Sequence, residues 1–187
     1  GDLVPSDLRP LLPRVAALLL LDASLTFSNW WPTPAIYWHG APSVEVAVLL
    51  VLLSIGAATG RLGAPPTRLV RWLSVLWVVL VLGRYVDVTA PALWGRELNF
   101  YWDLRFLPDV AAMLLGASKQ AVLIGTVAAA GAALVLGGLY LVLRWAIRHV
   151  VDTAAGVMGR RVLSALGTIG IALFVMQAAG VFGLDYL

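Results

Sequence analysis

Apolar positions dominate the chain in long runs that no helical or strand period breaks up. "VAVLLVLLSIGAA" (46–58) and "AVLIGTVAAAGAALVLGGLYLVL" (121–143) are apolar on every face of a helix. Helices apolar on every face, in a chain this size, have lipid for solvent. A bilayer core takes about 20 helical residues to cross. Five segments meet that measure approximately, at about residues 11–30, 43–59, 69–86, 118–143 and 162–182. Pro10 and Pro13 suit the start of the first. "SLTFSNWWP" behind it is too bulky for a signal-peptide cleavage site, so the span reads as an anchor. The pattern predicts an all-α fold: one polytopic transmembrane domain over 1–187, with short interfacial helices in segment 87–117, between spans 3 and 4.

Composition supports this class. The chain is 61% hydrophobic and 12% charged, about half the charged fraction of an average soluble domain. That leaves too few charges for a polar skin. There is no cysteine, which excludes disulfides, thiolate metal sites and cysteine nucleophiles. A net charge of +3 raises nucleic acid as a partner. The cations mostly flank apolar spans and form no solvated basic face, so no nucleic-acid partner is expected.

Loop charges give an orientation. Arg9, Arg14, Arg61, Arg68, Arg71, Arg144, Arg148, Arg160 and Arg161 fall on one face of a five-span arrangement. Arg84, Arg96, Arg105 and Lys119 fall on the other, mixed with Asp87, Glu97, Asp103 and Asp109. The positive-inside bias puts the N-terminus in the cytoplasm and the C-terminus outside. Arg144, Arg148 and Asp152 lie four apart, so the fourth helix is expected to continue past the membrane as a basic turn near anionic headgroups. "GAATG" (56–60) matches a small-xxx-small contact, a common pattern in Gly/Ala-rich spans.

The expected outer face carries the candidate chemistry. Trp30, Trp31, Tyr37, Trp38 and His39 in "NWWPTPAIYWHG" suit the headgroup layer, where a ring body is apolar and its N–H or O–H is wet. "GRYVDVTAPALWGRELNFYWDLRFLPDV" (83–110) gathers seven of the 23 charged residues and six of the 18 aromatics. Arg84 and Asp87, three apart, share a helical face. Pro91 is expected to break that helix and Gly95 to turn the chain. "RELNFYWDLRF" then reads as a short interfacial helix, and Pro108 opens another with Asp109 at its N-terminus. Interfacial anchoring explains aromatics and arginines, but not four acids beside four bases. Such pairing fits either a structural network or the floor of a headgroup site.

Asp22 is expected near mid-span of the first helix, where an acid is a candidate proton or ion site, or a hydrogen-bond partner of Gln177 or a Ser/Thr. His39 and His149 fall on opposite faces, so they share neither a metal nor a haem. No catalytic triad, phosphate-binding glycine loop or metal-ligand cluster is present in the sequence.

Over Arg84, Asp87, "TAPALWGR" (89–96) and "NFYWDLRFLPDV" (99–110), the chain resembles the membrane domain of bacterial sulfatase-like proteins of the alkaline phosphatase superfamily. Lipoteichoic acid synthases and lipid A phosphoethanolamine transferases there carry an extracytoplasmic catalytic domain on five helices. The resemblance implies a bacterial inner-membrane protein that anchors such a domain and presents lipid to it. No catalytic residue is carried over. Zinc or manganese would belong to the separate catalytic domain, and no cofactor or metal is expected in this chain. Lipid headgroups would meet Arg84, Asp87, Arg96, Asn99, Tyr101, Trp102, Asp103 and Arg105. Two other readings remain open. One is an accessory subunit of a larger membrane complex, in contact with pigment or quinone. The other is a small transporter using Asp22.

Overall fold

The computed structural model describes residues 11–38, 42–60, 67–95, 99–106, 108–109, 112–113, 116 and 119–179. Helices make up most of it: α1 (Leu12–Ala23), α2 (Val44–Ala58), α3 (Thr67–Trp94), α4 (Phe100–Arg105), α5 (Lys119–Ala155) and α6 (Val157–Ala178). A two-stranded antiparallel hairpin, β1 (Phe27–Asn29) and β2 (Ile36–Trp38), lies between α1 and α2. Three helices, α3, α5 and α6, are long and apolar enough to cross a membrane.

The expected first and second spans are shorter. α1 has 12 residues and α2 has 15, which is about 18 Å and 22 Å of helix against a hydrocarbon core of about 30 Å. α1 ends where polar side chains compete for its carbonyls: Ser24 Oγ donates to Leu21 O, and Thr26 Oγ1 to Asp22 O. The chain then reverses through the hairpin, with Phe27 opposite Trp38 and Asn29 opposite Ile36. The "WPTP" turn (31–34) that reverses the chain follows closely on the apolar run of α1, which masks it.

Pro91 does not break α3, which continues to Trp94. An internal proline removes the N–H that would bond to the carbonyl four residues back. Here that loss falls in the last turn, where the helix is ending anyway. Gly95, at φ 66°, closes the helix by donating its N–H to Pro91 O at 2.9 Å. α4, Phe100–Arg105, falls within the longer segment 96–106 expected to be a short helix, and Pro108, Asp109, Ala112 and Met113 are also helical.

The core sits around the C-terminal half of α5. Leu143, Ala146, Ile147, Val150, Val151 and Ala154 are buried at spacings of three and four, one continuous helical face. Ala17 and Leu21 of α1 and Val70 and Trp77 of α3 join this cluster. So do Val46, Leu49, Leu50 and Leu53 of α2 and Leu163 of α6. α2 and α6 form an antiparallel pair. A side-chain carbon at Gly167 would stand 2.7 Å from the Ala47 carbonyl oxygen, while Arg160 Nη1 donates to Ala57 O at 3.4 Å. Where lipid tails are as apolar as leucine, such close approach is what favours helix association. The N-terminal half of α5 is different: from Gln120 to Gly138 every side chain described is exposed. The molecule is thus tightly packed towards the start of α6 and open towards its end.

Candidate functional site: a polar-rimmed cleft between three helices

At that open end lies a cleft of about 690 Å³. α2, α3 and α6 wall it, with Leu25, Thr26 and Pro42 from the neighbouring connections. Its apolar surface comes from Leu25, Val44, Val79, Leu80 and Phe174. Its polar groups are Thr26, Glu45, Arg84, Asp87 and Gln177. The shape therefore offers hydrocarbon contacts beside charge, which is what an amphiphile presents.

Each polar group is placed by its helix. Glu45 stands in the first turn of α2, where a carboxylate offsets the helix dipole. Ser43 caps that helix, its Oγ accepting from Val46 N and donating to Glu45 Oε2 at 2.7 Å. Arg84 and Asp87 are one turn apart on α3, Nη1 to Oδ2 at 3.4 Å, with side chains 37% and 73% exposed. A pair this long and this open contributes little stability. The inner part of Arg84 is more telling. Its Nε is buried and has no hydrogen-bond partner among the described residues. A buried, unpaired guanidinium donor carries a desolvation cost that an acceptor would relieve.

The hairpin flanks the cleft. Tyr85 Oη, on the residue after Arg84, donates to Pro34 O at 3.3 Å, and Trp38 Nε1 donates to Ala23 O at 2.9 Å. Trp30 and Tyr37 pack edge to face with ring centroids 6.3 Å apart. Trp30, Trp31, Tyr37 and Trp38 remain largely exposed.

The other expected site residues are elsewhere. Asp22 is the penultimate residue of α1, not mid-helix, and its Oδ1 accepts the Ser43 N–H at 2.8 Å. It ties the end of α1 to the cap of α2. Gln177 lines the cleft. On α4, Asp103 Oδ2 accepts the Asn99 N–H at 2.9 Å, a local cap of that helix. Tyr101 and Arg105 are exposed. Among the described residues, none of Asn99, Tyr101, Asp103 and Arg105 lines the cleft. Arg96, Glu97, His39 and the Trp102 side chain lie outside what the structure describes. Glu45 is the residue that sequence reasoning missed. Its signal was a lone acid one residue inside an apolar run. Among the described residues no group of three or more His, Cys, Asp or Glu is placed to hold a metal.

Fold and site together define a helical membrane protein with a polar-rimmed, apolar-walled cleft at one end of its bundle. Compared with known protein families, with curated proteins and with solved structures, the chain finds no match.

Proposed function

We propose that this chain is a membrane-anchoring domain that seats a phospholipid headgroup in the Arg84 cleft. In this reading it presents that lipid to a sulfatase-like hydrolase or transferase domain acting on envelope lipid or glycan. The carrying observation is the buried, unpartnered Nε of Arg84 in a cleft with apolar walls. A phosphate oxygen would complete that guanidinium by a charge-assisted hydrogen bond. Acyl carbons would lie along Leu80, Val79 and Phe174. The chain holds no catalytic role in this scheme. It sets the depth and orientation of the lipid, and any zinc or manganese chemistry belongs to a separate domain. Loop charges support an orientation with the N-terminus cytoplasmic and the Arg84 end outside, and the bacterial inner membrane is what the family resemblance implies.

Native mass spectrometry of the purified full chain tests this. Arg84→Ala is expected to reduce co-purified phospholipid about tenfold, the scale of one lost charged hydrogen bond. Arg105→Ala, outside the cleft, should have a much smaller effect. Equal retention by the native chain and Arg84→Ala, with helicity unchanged, would overturn the reading.

An accessory-subunit role keeps one specific support: α5 is exposed on all sides along its N-terminal half, a surface that a partner's helix could cover. The transport reading depended on an acid in mid-span. Asp22, at a helix end and engaged with Ser43, gives it no support.

A further inference from the structure

The packed end of the molecule is chemically unlike the cleft end. Arg68 and Arg71 stand in the first turns of α3, Arg144 and Arg148 in the C-terminal half of α5, and Arg161 in the first turns of α6. All five are exposed. Val70 of α3 and Leu163 of α6, next to Arg68, Arg71 and Arg161 in the chain, are buried in the same cluster as Val150, Val151 and Ala154 of α5. Only Gly156 separates α5 from α6. Among the described residues, the one carboxylate near any of these arginines is Asp152, at 3.9 Å from Arg148 Nε. That distance is long, and the Arg148 side chain is 73% exposed.

The position of these charges along α5 is equally informative. Up to Leu143 the helix is apolar on all sides. From Arg144 it becomes amphipathic: Arg144, Arg148 and Asp152 form one stripe, and Ala146, Ile147, Val150 and Val151 face the core. The charged stripe of α5 therefore begins after Leu143 and faces away from the packed core. Two exposed tryptophans neighbour these arginines in the chain. Trp72, 70% exposed, follows Arg71, and Trp145 follows Arg144. Trp145 is held by His149, whose ring lies 4.6 Å away.

We propose that this end is a binding collar for anionic phospholipid, built from Arg68, Arg71, Arg144, Arg148 and Arg161 and seated in depth by Trp72 and Trp145. It is separate from the cleft. Charge complementarity selects its occupant: five open guanidiniums with, among the described residues, one loosely held carboxylate attract phosphate-rich headgroups that carry no compensating amine. Exposed guanidiniums interact with such a surface through long-range attraction, so the binding is sensitive to salt.

The experiment uses the full chain in nanodiscs containing phosphatidylcholine and phosphatidylglycerol, with bound lipid read by native mass spectrometry. The native chain should retain phosphatidylglycerol in preference to phosphatidylcholine. The double variant Arg144→Gln/Arg148→Gln should lose that preference by about fivefold per arginine removed. Raised salt should produce a similar loss in the native chain. The single variant Arg84→Ala should lower the total lipid retained while leaving the ratio of phosphatidylglycerol to phosphatidylcholine in the remainder unchanged, which separates this collar from the cleft. The proposal fails if the native chain shows no preference, or if the double variant keeps it with unchanged helicity. It fails too if Arg84→Ala abolishes the preference, because the anionic lipid then sits in the cleft.

Discussion

The Asp22 carboxylate accepts the N–H of Ser43, and the Ser43 hydroxyl in turn caps α2. One side chain thus joins the end of one helix to the start of the next. Asparagine retains an oxygen at the same position, whereas alanine leaves the Ser43 N–H without its partner. Asp22→Ala should destabilise the chain by about 1–2 kcal/mol in thermal unfolding in detergent, and Asp22→Asn by much less. A proton or ion site would behave otherwise, with Asp22→Asn the damaging change to function. The sequence displayed Asp22 as an acid among leucines, and that alone is the usual sign of a functional site. Its actual neighbour, Ser43, is 21 residues away and uses a backbone group. No side-chain pattern reports that. Glu45 shows the converse. It lies at the edge of an apolar run and looks like a helix-start acid, which it is. Only the packing of α2 and α6 brings it to the same cleft as Gln177.

Among the elements, the long apolar helices α3, α5 and α6 were legible because their composition leaves them no other solvent than lipid. The end of α1 was not, because Leu25 and Phe27 continue its hydrophobicity while Ser24 and Thr26 terminate its hydrogen bonding. The α2–α6 pair depends on a feature that no single helix displays. Gly167 faces the Ala47 carbonyl and the Val51 side chain, both within 3 Å of where a β-carbon would stand. Gly167→Ala should therefore force the helices apart and cost about 1–3 kcal/mol. Thermal unfolding in detergent reads that loss. The motif "GAATG" matches a pattern common in Gly/Ala-rich spans, whereas the close approaches between α2 and α6 are at Gly167 and Gly170.

At the scale of the molecule, the two ends differ in packing and in charge. One end is tight and, among the described residues, bears exposed arginines with Asp152 as their nearby carboxylate. The other is open and mixes acids, bases and exposed aromatics. The sequence conveyed this polarity through its loop charges. It did not convey that the helices diverge at one end, since divergence depends on which faces meet. The absence of native cysteine makes the orientation directly testable. A single cysteine at Thr33, in the exposed hairpin turn, should react with an impermeant maleimide in intact cells. One at Met158, at the start of α6, should react only after permeabilisation. The reverse pattern would invert the proposed orientation.

The pairing of α2 with α6 also sets an order of assembly. About a hundred residues of chain are synthesised between the two helices, and α2, at 15 residues, is too short to settle in a bilayer on its own length. During synthesis it emerges well before its partner and waits with its small-residue face uncovered. α5 and α6, separated by Gly156 alone, are positioned to enter as one hairpin. Closure of the α2–α6 contact therefore waits for α6. Slowing or truncating synthesis before Val157 should leave α2 available to membrane chaperones and quality-control proteases.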